Sequence, residues 1–354
     1  MRVLILLFGT FLISAVIDSR HNSMPGTENR SDSETVSPVS DGETSGEDLL
    51  HSFQSIGSVS SLLIEMNGTL LMEHYFGNMN ASRTTNTKSA SKSILSLLVG
   101  IAIDEGYLNG VEQTIEDYFP EYFEANPDPV KASITIKDLL TMRSGLETTS
   151  FHNYGRWVVS PSWITFALNQ PVEEEPGGRM IYSTGTSHLL SVILTRASGM
   201  STRAFANRYL FGPMNITVGG WDRDPQGYYM GGNNLALSPG AMLKIGRMVK
   251  DMGQYNGDQI VSRQWLLDSF KVYTRSNFNP YDYGYMWWQR KTGDYDVAFA
   301  WGHGGQYILM IPELDSVIAI TSNLTNDGSR RYQRMIFEWL EEYVIPYLEE
   351  NKST

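Results

Sequence analysis

Strand-like runs lie near the two ends of the folded part of this chain, and residues 88–270 between them read as mostly helical in period. At the first end, runs 61–66 and 69–76 flank Asn67-Gly68, a pair that accepts the positive φ both central positions of a tight hairpin need. At the other end, strand signals return at 284–290, 297–301, 307–311 and 316–321, and 330–348 closes as an amphipathic helix. Helical signals fall at 47–56, 91–105, 136–143, 186–199, 201–210, 238–251 and 262–270. The fold class is therefore mixed α and β: one antiparallel sheet built from both termini, flanked by helices, with a helical subdomain over about 88–270 inserted. No tandem repeat is present.

Before the first helix the chain has a different character. Arg2 precedes an apolar run over 3–17 broken by Gly9, Thr10 and Ser14, which is short for a membrane span and reads as an export signal, with an uncleaved anchor and a buried first helix as competing readings. Residues 18–46 are Ser, Thr, Asp, Glu, Gly and Pro with few apolar side chains. Such a segment cannot bury enough surface to offset its ordering entropy, so it is expected to be a disordered acidic tether ahead of a domain over 47–350.

Composition excludes several classes of function. No cysteine occurs among the 354 residues, which removes disulfides, thiolate nucleophiles, iron–sulfur sites and lipidated cysteines. Of the formal net charge of −12, half falls between Asp18 and Asp48, where eight acidic residues face two arginines. The remainder is still acidic, so no basic face is left for nucleic acid. The six histidines show no ligand spacing, and H-E-x-x-H, G-x-S-x-G and a Gly-rich phosphate loop are all absent. No metal or cofactor is implied.

Ser89-Ala90-Ser91-Lys92 is the one S-x-x-K in the chain, placed where a polar loop runs into an apolar helix. Three-residue spacing sets hydroxyl and amine on one helix face, and a helix N-terminus offers unpaired N–H groups and a positive dipole beside the serine. A buried Lys92 would have a lowered pKa and act as base. The competing reading is a capping serine and a solvated lysine. Ile94, Leu95, Leu97, Leu98 and Val99 leave little polar face for that lysine.

Two further blocks follow in order: Ile134-Thr135-Ile136-Lys137-Asp138-Leu139-Leu140-Thr141-Met142-Arg143-Ser144-Gly145-Leu146, and Glu175-Pro176-Gly177-Gly178-Arg179-Met180-Ile181-Tyr182-Ser183-Thr184. A last one, Trp301-Gly302-His303-Gly304-Gly305-Gln306-Tyr307-Ile308-Leu309-Met310-Ile311-Pro312, sits among the C-terminal strand signals. Together these resemble the serine beta-lactamase and penicillin-binding-protein superfamily, in its class C-like branch of D-alanyl-D-alanine carboxypeptidases, short-chain esterases and 6-aminohexanoate-oligomer hydrolases. The resemblance runs over about 57–347. It implies the beta-lactamase/transpeptidase fold with a cleft between sheet and helical region.

By that resemblance Ser89 is the nucleophile, Lys92 its proton acceptor and Tyr182 the tyrosine of the family's Y-x-N motif. His303, Gly304 and Gly305 form the third motif. Either the His303 or the Gly304 N–H joins that of Ser89 as the oxyanion hole. Thr184 stands where the family usually has asparagine, which argues against a beta-lactam substrate. The literal Lys291-Thr292-Gly293 follows an apolar run and precedes Asp294, so it reads as a turn between strands rather than as the third motif. The implied protein is an exported, periplasmic or extracellular serine hydrolase acting on a small ester, amide or peptide, with membrane contact only through an N-terminal anchor. Two alternatives are a D-alanyl-D-alanine carboxypeptidase or beta-lactamase, and a non-catalytic module that binds peptidoglycan or a peptide.

Overall fold

A computed structural model describes residues 44–323 and 329–352. The export segment and nearly all of the acidic tether lie outside the described residues. The first helix, α1 (Gly46–Ser55), starts where Ser45 accepts a hydrogen bond from the Asp48 N–H, and it buries Leu49 and Phe53.

One antiparallel sheet of eight strands organises the domain. Its members are β1 (Val59–Met66), β2 (Thr69–Tyr75), β3 (Thr274–Arg275), β4 (Asp282–Tyr283), β5 (Trp288–Thr292), β6 (Tyr295–Gly302), β7 (Gln306–Ile311) and β8 (Ser316–Ser322). They lie in the order β2-β1-β8-β7-β6-β5-β4-β3. Strand β1 pairs antiparallel with β8, so the two ends of the chain share one sheet as the pattern of runs implies. Asn67 and Gly68 turn the first hairpin with φ of 51° and 72°. Strands β7 and β8 are buried at every position, which explains their continuous apolar runs: helices cover both faces.

Of the long helices, α2 (Ser91–Asp104) and α3 (Thr184–Ser198) are buried on almost every side. The amphipathic α4 (Pro239–Lys250) lies on the sheet, and α5 (Ser329–Trp339) continues through a π-turn into a helix over Ile345–Lys352. On the sheet side, buried Glu65 of β1 forms a fork with Arg247 of α4.

Three sequence expectations need correction. The helix expected over 136–143 ends at Leu140, because Met142 turns with φ of 58° and Gly145 with 80°. The helix expected over 201–210 is α-helical only over Thr202–Ala206 and then widens to a π-turn through Phe211. The strand expected from residue 284 begins at Trp288, because Met286 has φ of 62° and its N–H donates to Leu140 O, outside the ladder. Short helices at Tyr154–Val158 and Trp163–Leu168 were not anticipated, being too brief to show a period.

Candidate active site

Ser89 lies in a single 3-10 turn (Lys88–Ala90) that feeds directly into α2. Lys88 before it holds φ of 53°, a left-handed conformation that costs a non-glycine residue energy and is found at sites that need an unusual backbone path. Its N–H is tied to Asn86 Oδ1 at 2.8 Å, which helps hold that path. The first turn leaves the Ser89 N–H without an intrahelical partner.

One turn further along, Lys92 is 1% exposed. Its Nζ lies 2.7 Å from Gly232 O, 3.3 Å from Thr184 Oγ1 and 3.3 Å from Ser89 Oγ. Among the described residues no carboxylate pairs with it. Burial without a counter-ion disfavours the ammonium, and the pKa falls from 10.5 to about 7. A neutral amine has two N–H donors and one lone pair. Gly232 O and Thr184 Oγ1 account for the donors, which leaves the lone pair for the Ser89 hydroxyl. Thr184 is itself anchored, with Oγ1 2.9 Å from Ser150 Oγ and its N–H donating to the same oxygen at 2.9 Å.

Tyr182 comes from the extended segment just before α3, whose N-cap Ser183 accepts from the Thr186 N–H. Its hydroxyl pKa is pushed up by burial, while the Ser89 hydroxyl beside it pulls the other way. Lys92 Nζ stands 5.0 Å from the centre of the ring. Trp288 stacks on Tyr182 at 5.9 Å, and Phe278 meets it edge-on at 5.6 Å. This aromatic packing holds the phenol in place.

These groups open on a cleft of about 530 Å³ that also takes in Phe151, Tyr154, Asn233 and His303. His303 is exposed at the rim, in the turn between β6 and β7. That turn is pressed close to the nucleophile's segment: a Cβ on Gly302 would collide with Thr87 O. Gly304 and Gly305 complete it with φ of 83° and 88°, and a Cβ on Gly305 would meet Tyr332 and Ser322 rather than a cleft residue. Lys291 and Thr292 end β5, and Gly293 with φ of 56° turns the chain into β6. Lys291 lines a different surface hollow, beside Val249 and Met310.

The structure thus brings Ser89, Lys92, Tyr182 and His303 to one cleft. Sequence reasoning missed Ser150, Asn233 and the Gly232 carbonyl. The run Gly231-Gly232-Asn233-Asn234 was the available signal, a turn-forming cluster in an otherwise helical region.

Comparison with known proteins shows the family and the fold. A family model described as Beta-lactamase matches residues 56–336. The 6-aminohexanoate-dimer hydrolase of Paenarthrobacter ureafaciens is 21% identical over 305 residues, covering 77% of this chain and 74% of that protein. The structure of an octameric penicillin-binding protein homologue from Pyrococcus abyssi is similar in fold, with a TM-score of 0.65 at 17% identity over 86% of this chain and 79% of that one. So is EstCE1, described as a hydrolase with promiscuous acyltransferase activity, with a TM-score of 0.70 at 17% identity over 83% and 99%. The family match takes in the S-x-x-K helix, Tyr182 and the His303 turn, and on that basis the chain belongs to the beta-lactamase family of serine hydrolases.

Proposed function

We propose that the protein hydrolyses a small ester or amide through an acyl-enzyme on Ser89. The observation that carries this reading is the surroundings of Lys92: a buried amine with a pKa of about 7, two acceptors for its N–H groups and its lone pair free for Ser89. Ser89 Oγ attacks the carbonyl carbon as its proton passes to Lys92. Backbone N–H groups at Ser89 and in the His303–Gly304 turn hold the oxyanion. The proton then reaches the leaving oxygen or nitrogen through Tyr182, and the C–O or C–N bond breaks. Water, activated along the same path, releases the acid and restores Ser89.

An ester or linear amide is favoured over a beta-lactam for two reasons. Thr184 offers Lys92 a hydroxyl where the family usually has an amide side chain. The cleft beside it is walled by Phe151, Tyr154 and Tyr182. The amide named for the Paenarthrobacter ureafaciens relative is of this kind. A panel of p-nitrophenyl esters, linear 6-aminohexanoate amides, D-alanyl-D-alanine peptides and a chromogenic beta-lactam tests the reading. Turnover of the first two groups, lost in Ser89→Ala, is the expected result. Preference for the peptide or the beta-lactam would replace the substrate assignment, and binding without turnover would replace the enzyme.

We further infer that the protein is exported, on the strength of Arg2 and the apolar run over 3–17. Fractionation of the expressed full chain checks this, and recovery with the cytoplasm would contradict it.

A further inference from the structure

Behind the cleft, on the side of α3 away from solvent, lies a polar pair that the reaction steps above do not use. The side chains of His188 and Asp224 are both fully buried, with His188 Nε2 2.9 Å from Asp224 Oδ2. Trp157 and Trp163 pack against the imidazole in T-shaped contacts, with ring centres 5.9 and 5.4 Å away. The Gly231 N–H donates to His188 Nδ1 at 3.1 Å. Nδ1 is therefore unprotonated, and the ring proton sits on Nε2 facing the carboxylate. Asp224 Oδ1 accepts the Tyr228 N–H at 2.8 Å.

The second peptide along is the one that holds Lys92. Gly231 O accepts from Ser187 Oγ at 3.0 Å, and Gly232 O accepts from Lys92 Nζ at 2.7 Å. Gly232 has φ of 89°, and a Cβ there would collide with Ser187 Oγ and Lys92 Cγ. The backbone at this point thus runs in direct contact with the lysine stem, and its placement decides where the amine points.

We infer that His188 and Asp224 are positioning residues for hydrolysis: Asp224 fixes the Nε2–H tautomer of His188, whose Nδ1 anchors the Gly231 N–H and so aims the Gly232 carbonyl at Lys92. The inference rests on the assignment of Ser89 and Lys92 as nucleophile and base. It differs from a stapled loop in what it predicts for half-mimics of the imidazole. His188→Asn keeps an acceptor near Nδ1 and leaves Asp224 Oδ2 buried without its imidazole partner. His188→Gln keeps a donor toward Asp224 and leaves the Gly231 N–H without its acceptor. Asp224→Asn conserves volume but lets an amide donate to Nε2, which moves the ring proton to Nδ1 and sets donor against donor at Gly231.

The test measures kcat, KM and Tm for these three variants of the full chain with p-nitrophenyl acetate, beside wild type and Ser89→Ala. His188→Gln and Asp224→Asn are expected to lose about a hundredfold in kcat with KM nearly constant, as a small misplacement of a catalytic group does. His188→Asn is expected to keep a kcat well above that of His188→Gln although its Tm falls further. If kcat instead falls in step with Tm, or if Asp224→Asn turns over like wild type, the positioning role is wrong. Should the His188 variants fail to fold, the isosteric Asp224→Asn decides by its kcat alone. Turnover that survives Ser89→Ala would instead overturn the assignment of the site itself, a distinct outcome.

Discussion

Lys92 and Lys291 both belong to motifs that invite a catalytic reading, and their surroundings are opposite. Lys92 is 1% exposed and stands on the buried helix α2, its amine hydrogen-bonded to hydroxyl and carbonyl oxygens. Lys291 ends β5 in a hairpin, its side chain 68% exposed and 3.6 Å from Asp296. Removing water from an ammonium without supplying a counter-ion makes Lys92 a base near neutrality. The residue type is the same, and the environment decides the chemistry.

Substitutions in the cleft should cost the most activity. Ser89→Ala removes the attacking oxygen and should lower turnover by on the order of 10⁴-fold or more, with Tm close to wild type. Steady-state kinetics and thermal unfolding on the same preparation check both halves. Next comes the lysine pair. Lys92→Met should cost a factor of roughly 10² to 10⁴ in kcat, the usual worth of a positioned acid–base group. Lys291→Met, at an exposed site, should stay within about twofold. Equal losses in the two would erase the distinction drawn between them.

Tyr182→Phe sharpens the account of the proton path. If the ring only packed against Trp288 and Phe278, phenylalanine would keep its volume and turnover would hardly change. As a relay to the leaving group it should lose roughly 10²-fold or more in kcat. The Lys92→Met, Tyr182→Phe double variant should then be little worse than either single one, because both serve one path.

How much of this was legible beforehand follows the distance over which each feature is determined. The hairpin at Asn67-Gly68, the buried strands and the S-x-x-K helix are local patterns, and periodicity, turn chemistry or spacing reports them directly. The burial of Lys92 was legible too, since its apolar neighbours leave it no polar face. The carbonyl that receives Lys92 lies 140 residues away in sequence, and the His188–Asp224 pair joins α3 to a loop 36 residues on. The Gly231-Gly232-Asn233-Asn234 run marks a turn, but nothing in the linear pattern says which distant side chains that turn meets. The helix over 136–143 ended early for a related reason: the positive φ at Met142 is set by tertiary packing, and methionine gives no warning of it.

The smallest effect on rate should come from the sheet side. Arg247→Met leaves Glu65 buried and unpaired between β1 and α4, and should destabilise the fold by about 3–5 kcal/mol. At a temperature where the variant is still folded, kcat should stay near wild type. Chemical denaturation and kinetics together separate stability from chemistry here.

On this reading burial lowers the Lys92 pKa to about 7 with no carboxylate among the described residues paired with the amine, and a titration of [ε-13C]lysine resonances by NMR reads that value at the residue itself. One resonance, absent from Lys92→Met, should titrate near pH 7, with the amine charged below that point and free to accept the Ser89 proton above it. Turnover should rise through the same midpoint. If every lysine resonance, that of Lys92 included, titrates near 10, the base proposed for Ser89 is protonated at neutral pH and the account is contradicted.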